Sequence, residues 1–180
     1  MIKDYESTYL DTDFDAHRMK RWRNDYNIYR WCRQNTLLSD SDHFAWIESL
    51  KGNKRDKMYS IHNENYEFIG VCGLTNIDYI ARHAEFSLYI GPEYQGQGHA
   101  GRALFSLIKH GFDCFNMNKI WGETFHGNKA GNLFTKVGFE IMDGHYQHYF
   151  KDGMYIDTKF YYMFSRDFYE KQTEIYERMK

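Results

Sequence analysis

Between Met58 and Ile90 the chain passes through three apolar, β-prone runs, MYSIHN, YEFIGVCGLTNI and AEFSLYI, with no stretch between them long enough for a helix. Parallel neighbours need a crossover of about a dozen residues or more, so strands this close in sequence pair antiparallel, the first two around a turn at Asn63–Asn65. A doubly wound parallel sheet is therefore ruled out for this half of the chain. Before the strands, Met19, Trp22, Tyr26, Tyr29 and Cys32/Arg33 recur at helical spacing, with a break near Asn24-Asp25 and Asp13 or Asp15 as cap. A short segment around Ile2 to Leu10 precedes them, and a second helix is expected from Ser39 to Ser41 onward, with Phe44, Ile47 and Leu50 on one face.

After the strands, Leu104, Leu107/Ile108, Gly111/Phe112 and Phe115 mark an amphipathic helix, and KIWGETF reads as a strand. NKAGNLFTKV reads as a short helix closed by a left-handed Gly138. HYQHYF and MYIDTKFYYMF around KDG form a hairpin, and an extra helix over 166–180 places Phe168, Ile175 and Met179 inward. The order ααβββαβαββα predicts an α+β fold with a mixed, mostly antiparallel sheet flanked by helices. Without a repeat or a Pro/Gly/Ser-rich linker, residues 1–180 read as a single domain.

A net charge of −2 and a pI near 6.5 argue against nucleic-acid binding, which needs a basic face to displace counterions. Cys32, Cys72 and Cys114 are scattered and odd in number, which fits reduced thiols and no zinc site. The N-terminal stretch lacks an apolar leader core and no run is long enough to span a bilayer, so the expectation is a cytoplasmic protein without membrane contact.

The stretch GPEYQGQGHAGRAL (Gly91 to Leu104) contains a literal G-x-G-x-x-G at Gly96, Gly98 and Gly101. The dinucleotide fingerprint needs a strand feeding directly into the first glycine and repeated β-α units, whereas here a Gly91-Pro-Glu-Tyr-Gln spacer and antiparallel strands intervene. A nucleoside-triphosphate loop would need the Lys-Ser/Thr pair that GQGHAGRA lacks. What remains is small residues at a strand-to-helix junction, which lets backbone N–H groups and a helix dipole surround an anion such as a pyrophosphate. Pro92, the single proline, cannot donate to a ladder and marks where strand pairing stops.

Gln95-x-x-Gly98-x-Ala100, placed after a strand and at the start of a helix, resembles motif A of the GNAT N-acetyltransferases, and the element order from Asp13 to Phe164, with Gly138-Phe139 closing the short helix, is similar to that family's order. The resemblance implies the GNAT-like acyl-CoA N-acyltransferase fold and acetyl-CoA as acyl donor. It places the backbone amides of Gln95, Gly96, Gln97, Gly98, His99, Ala100 and Gly101 on the pyrophosphate, and backbone groups near Leu88, Tyr89 and Ile90 on the pantetheine arm.

Acetylating an amine needs a base, because an ammonium of pKa roughly 10 is almost fully protonated at neutral pH. The resemblance points to Glu85, acting directly or through water. Related enzymes carry a Tyr where this chain has Phe134, in the wall of the CoA site, and an Asn where it has Gly127; Asn128 fills the latter role by a one-residue shift. The proton for the leaving thiolate is then assigned to Tyr146 or Tyr149 of the hairpin, or to water.

Trp22-Arg23-Asn24 and His43-x-x-Trp46-Ile47 resemble the acceptor helices of bacterial aminosugar N-acetyltransferases, while the loop-to-hairpin half resembles spermidine and ribosomal-protein N-terminal acetyltransferases. Arg23 would suit a sugar-nucleotide phosphate, with Asn24 beside it as a further substrate-binding residue; Asp157 and Glu48 would suit a polyamine. The expected partner is a small-molecule or peptide amine, and a homodimer is compatible with the aromatic surface and the added helix. His145-x-x-His148 on a strand would point to opposite faces, so no metal is expected there. A non-catalytic acyl-CoA-binding module is the rival reading, favoured by Phe134.

Overall fold

The computed structural model describes residues Asp13 to Met179, so the segment around Ile2 to Leu10 and the last residue of the closing helix lie outside the described residues. Three strands, β1 (Lys57–His62), β2 (Phe68–Asp78) and β3 (His83–Ile90), form the expected antiparallel meander. They open a six-stranded sheet of order β1-β2-β3-β4-β8-β5, where β4 is Lys119–Phe125, β5 Glu140–Met142 and β8 Thr158–Phe164. Seven consecutive residues of β2, Phe68 to Leu74, are buried, because both faces of the sheet are covered there. One face carries α4 (His99–Asp113), α5 (Ala130–Val137) and α6 (Ser165–Met179), with Leu104, Ile108, Val137 and Phe168 in the larger core. A smaller core on Met58, Phe68 and Val71 takes Met19 and Trp22 of α1 (Asp13–Asn24) and Ile28 of α2 (Tyr26–Tyr29).

The break near Asn24-Asp25 is present: Asp25 Oδ1 accepts from the Asn27 amide at 2.8 Å and caps α2, which turns Tyr26 out to solvent. Asp15 lies inside α1 and is not its cap. Ser39 Oγ accepts from the Asp42 amide at 3.1 Å and starts α3 (Asp40–Ser49), whose buried residue is His43, with Phe44, Ile47 and Leu50 only half-buried beside it. Gly138 is left-handed at φ +101°, as expected for the end of α5.

The hairpin is the element that differs most. Its second arm divides at Asp157 into β7 (Met154–Ile156), which pairs with β6 (Tyr149–Lys151) in a separate two-stranded ribbon, and β8, which joins the main sheet. Alternation alone does not reveal a change of sheet, because both arms keep a two-residue period. The strand β5 on the sheet edge, exposed along its length, carries no such signal either.

The feature that positions the site is a split between β3 and β4. These strands pair in parallel only over His83–Glu85 and Lys119–Trp121. Beyond that point the Phe86 ring fills the gap, packed on Phe134 and Phe139, and a β-carbon at Gly122 would collide with it. Pairing of β3 with β2 runs on to Ile90, then ends at Gly91 immediately before Pro92.

Candidate active site

On the α4 side of the split lies the glycine loop. Gly96 and Gly98 adopt φ +77° and +79°, the left-handed region that costs a residue with a β-carbon about 1–2 kcal/mol. Gly98 is the N-cap of α4 and no side chain caps that helix, so the first-turn amides of His99, Ala100 and Gly101 have no intrahelical acceptor and face the loop with the positive end of the dipole. Side chains brace the loop: Gln95 Nε2 donates to the Ile90 carbonyl at 2.9 Å, and Gln97 Nε2 to the Glu93 carbonyl at 3.4 Å. The spacer is docked on α1 through Glu93, whose carboxylate accepts from the Trp22 indole at 3.0 Å; a β-carbon at Gly91 would collide with that indole. His99 and Arg102 meet at 3.0 Å, and burial, helped by Arg102, lowers the His99 pKa. The third glycine differs from the first two, because a β-carbon on Gly101 would lie 2.8 Å from Met179 Sδ; this position serves the packing of α4 against α6. Leu88, Tyr89 and Ile90 lie on the part of β3 that β4 leaves unpaired.

The opposite face carries a cluster of which only Glu85 and Tyr149 are expected from the sequence. Glu85 is buried with both oxygens engaged, Oε1 by Arg33 and Oε2 by Asn76 Nδ2 at 2.8 Å. The same Arg33 Nη2 donates to Glu123 Oε2 at 2.8 Å, and the Tyr149 hydroxyl donates to that oxygen at 3.0 Å. Glu123, on β4, has a side chain only 3% exposed, and its Oε1 is buried without a hydrogen-bond partner. Burial works to lower the Arg33 pKa, but Glu85, together with Tyr149 and Glu123, outweighs it and the net shift is upward. Burial also pushes the Tyr149 phenol up to about 12, with Arg33 opposing and the two carboxylates reinforcing.

Arg33 is held out on the loop after α2 by Lys151, a fully buried lysine whose Nζ donates to the carbonyls of Tyr29, Cys32 and Gln34 at 2.8, 2.8 and 2.6 Å. Burial lowers the Lys151 pKa. Sequence reasoning misses Arg33, Asn76, Glu123 and Lys151 as site residues because they come from four segments whose meeting depends on the fold. The available signal for Glu123 is a charged residue inside the strand KIWGETF.

Other predicted residues lie around this cluster. Arg23 donates through Nε to Gln34 Oε1 at 3.1 Å, and Asn24 exchanges two hydrogen bonds with the backbone of Leu38 at 2.8 and 2.9 Å, so both fasten the Arg33 loop. Asp157 Oδ1 accepts from the Gln147 amide at 2.8 Å, and Glu48 pairs with Lys51 on the surface. Asn128 Oδ1 accepts from the Ala130 amide at 2.9 Å at the start of α5. Tyr146 is 88% exposed on the turn and stands outside the cluster. Phe134 is buried among Phe86, Phe139 and Tyr161.

His145 and His148 correct the expectation of opposed faces. They flank a turn rather than sit on a strand, with Gln147 at φ +49°, and their rings lie side by side with centroids 4.5 Å apart. A pocket of about 240 Å³ opens between the end of β4 and the start of α5, lined by Thr124, Asn128, Gly131, Lys159 and Tyr161.

The profile of the acetyltransferase (GNAT) domain matches residues 9–140. The chain belongs to the GNAT acetyltransferase family. Among its relatives is the spermidine N(1)-acetyltransferase of Vibrio cholerae, 32% identical over 110 residues, which are 60% of this chain and 63% of that protein. The Escherichia coli spermidine N(1)-acetyltransferase is 36% identical over 91 residues, 49% of this chain and 48% of its own length. The matched stretches thus span about half to just under two thirds of these two relatives. An uncharacterized N-acetyltransferase of Bacillus subtilis is 29% identical over 155 residues, 83% of this chain and 88% of that one. The GNAT fold is shown directly by the crystal structure of the V. cholerae spermidine N-acetyltransferase in complex with CoA and spermine, which superimposes with a TM-score of 0.83 at 24% identity over 88% of this chain and 94% of that one. Among the described residues no helix is long and apolar enough to cross a membrane.

Proposed function

We propose that this GNAT protein is an acetyl-CoA-dependent N-acetyltransferase that acetylates a primary amine of a polyamine by direct attack in a ternary complex. The observation that carries the acceptor class is the pair of buried carboxylates, Glu85 and Glu123, sharing one guanidinium. Two formal negative charges against one positive leave a net negative charge, which attracts an ammonium and repels the phosphates of a nucleotide sugar. The two spermidine-acetylating relatives support the same class.

Acetyl-CoA supplies the acyl group, and the chain offers what this co-substrate requires. Unpartnered amides at the left-handed Gly96–Gly98 loop suit its pyrophosphate, and the unpaired side of β3 over Leu88 to Ile90 suits its pantetheine arm. In this reading Glu123 accepts the amine proton, since its Oε1 is the one carboxylate oxygen of the cluster without a partner, and Glu85 positions Arg33. Tyr161 protonates the leaving thiolate: its ring stands edge-on to Phe134 at 5.2 Å, its hydroxyl lies so close to Gly131 that a β-carbon there would collide with it, and it lines the pocket beside α5. Tyr149, by contrast, commits its proton to Glu123. The cysteines support direct attack: burial pushes the Cys72 thiol up to about 12, and neither the Cys32 nor the Cys114 thiol touches Glu85 or Glu123.

Thiol release from acetyl-CoA, measured with spermidine, a UDP-linked aminosugar and a peptide with N-terminal alanine, tests the proposal. Spermidine is expected to give the largest kcat/KM. A preference for either other acceptor overturns the polyamine assignment, and saturable CoA binding without turnover on any amine overturns the enzyme in favour of a CoA-binding module.

A further inference from the structure

We infer that Glu123, His145 and His148 form a binding site for a divalent transition-metal ion at the acceptor end of the cleft. One donor atom from each of the three lies within 4.8 Å of the other two. Tetrahedral zinc, with bonds of about 2.0–2.2 Å to nitrogen and oxygen, holds its donors about 3.3 Å apart. Both histidines are exposed, with rings resting edge-on against Phe160 and Tyr149, so the contraction falls to small turns of the two imidazoles, while Glu123 stays fixed by its bonds to Arg33 and Tyr149.

The second observation is the carboxylate itself. The Glu123 side chain is 3% exposed, its Oε1 has no hydrogen-bond partner, and the atom it faces is His148 Nε2 at 3.9 Å, too far for a hydrogen bond and wide enough for a bridging ion. A buried polar atom left unsatisfied in this way costs free energy unless something completes it. Charge is arranged to allow a cation: Arg33 is neutralised by Glu85 and touches only Oε2 of Glu123, which leaves Oε1 and one formal negative charge for the ion.

The backbone shows that this juxtaposition is built rather than incidental. The turn between the two histidines is pinned three times: the His148 amide donates to the Ile156 carbonyl at 2.9 Å, the Gln147 amide to Asp157 Oδ1 at 2.8 Å, and the Thr158 amide to the His145 carbonyl at 2.9 Å. The break at Asp157, which divides the two strands, is thus also what brings the imidazoles together. Two imidazoles and one carboxylate select ions of the Zn²⁺, Co²⁺, Ni²⁺ or Cu²⁺ class over Mg²⁺ or Ca²⁺, which prefer all-oxygen shells. Three protein ligands leave a coordination position open. Bound there, the ion would occupy the oxygen assigned to proton acceptance and so compete with acetyl transfer; that consequence rests on the acetyltransferase reading, but the site does not.

Titration of the metal-free full chain with Co²⁺ alone, followed by visible absorption, reads the site without turnover. One equivalent is expected to bind with the intensified d–d bands of a low-coordinate nitrogen and oxygen shell, and Zn²⁺ is expected to bleach them. The His145→Ala/His148→Ala double variant, altered only at exposed positions, should weaken Co²⁺ binding by roughly tenfold or more, and Glu123→Gln by a comparable factor if it folds by circular dichroism. Binding of equal strength in the wild type and the double-histidine variant, or no saturable Co²⁺ signal in the wild type, overturns the assignment. Inhibition by Zn²⁺ in the thiol-release assay without a Co²⁺ site at these residues would likewise place the ion elsewhere.

Discussion

The two sides of the β3–β4 split are built from different materials. The side proposed for the acetyl donor is backbone: within the seven residues from Gln95 to Gly101 it has two glycines at positive φ and the free amides of one helix start. The side proposed for the acceptor is side chains: Arg33 reaches Glu85 across 52 residues and Glu123 across 90, and Tyr149 reaches Glu123 across 26. A backbone site tolerates most side-chain changes and fails when its dihedral angles are lost, whereas a side-chain site fails one residue at a time.

The sharpest way to break the comparison is at Glu123. Glu123→Gln keeps shape and removes the proposed proton acceptor, so kcat/KM for the amine should fall by about 10²–10³ at neutral pH, while CoA affinity stays within about twofold. The loss should shrink as pH rises and free amine accumulates. Steady-state rates from pH 7 to 10 check this; a loss equally large at high pH shows that Glu123 orders the cluster rather than accepting the proton.

The same division governs what is legible in the sequence. The meander, the amphipathic α4 and the left-handed Gly138 follow from local periodicity and local turn chemistry, and they can be read directly. Gly96 and Gly98 are legible for the same reason, as a contiguous motif. Glu85 is marked by its place on the strand before the loop, but its partners Arg33 and Asn76 are not, because a hydrogen bond between distant segments has no sequence period. Gly101 matches the motif by letter and yet serves helix packing, since small residues satisfy both needs. His145 and His148 mislead because the alternation in HYQHYF carries the expected strand back to His145, whereas pairing begins at Tyr149.

Lys151 holds the Arg33 loop, and its loss is the next largest effect. Lys151→Met removes a charged donor from three carbonyls and should cost about 3 kcal/mol of stability, measured by urea denaturation. It should also raise KM for the amine without changing CoA binding. Unchanged KM in a folded variant means that Arg33 is placed by Arg23 and Asn24 instead. Tyr161→Phe probes the donor side by a side chain and should lower kcat by roughly tenfold to a hundredfold, about 1.4–2.7 kcal/mol. An unaltered kcat shows that water protonates the thiolate. Gly98→Ala attacks the same side through its backbone: φ +79° costs the new residue about 1 kcal/mol, and its β-carbon lies 3.2 Å from Arg102 Nη1, so CoA binding should weaken severalfold with the amine KM unchanged. Equal weakening for amine and CoA would show that the two sides are coupled.

The smallest effect separates the scaffolds by pH. His43 joins α3 to α1 on the acceptor side, buried with Nε2 2.9 Å from the Ala16 carbonyl oxygen. Burial lowers its pKa, only partly offset by that hydrogen bond, so the folded chain holds it neutral where the unfolded chain protonates. The unfolded state therefore binds more protons below about pH 6.5, and the stability present above that value is lost as pH falls toward the lowered folded pKa. His110 on α4, also lowered by burial, contributes in the same direction, so the wild-type slope alone does not isolate His43. His43→Gln does. Urea midpoints at pH 7.5 and 5.5 should differ less in the variant than in the wild type. Identical slopes would assign the acid sensitivity to α4, and with it to the donor side of the split.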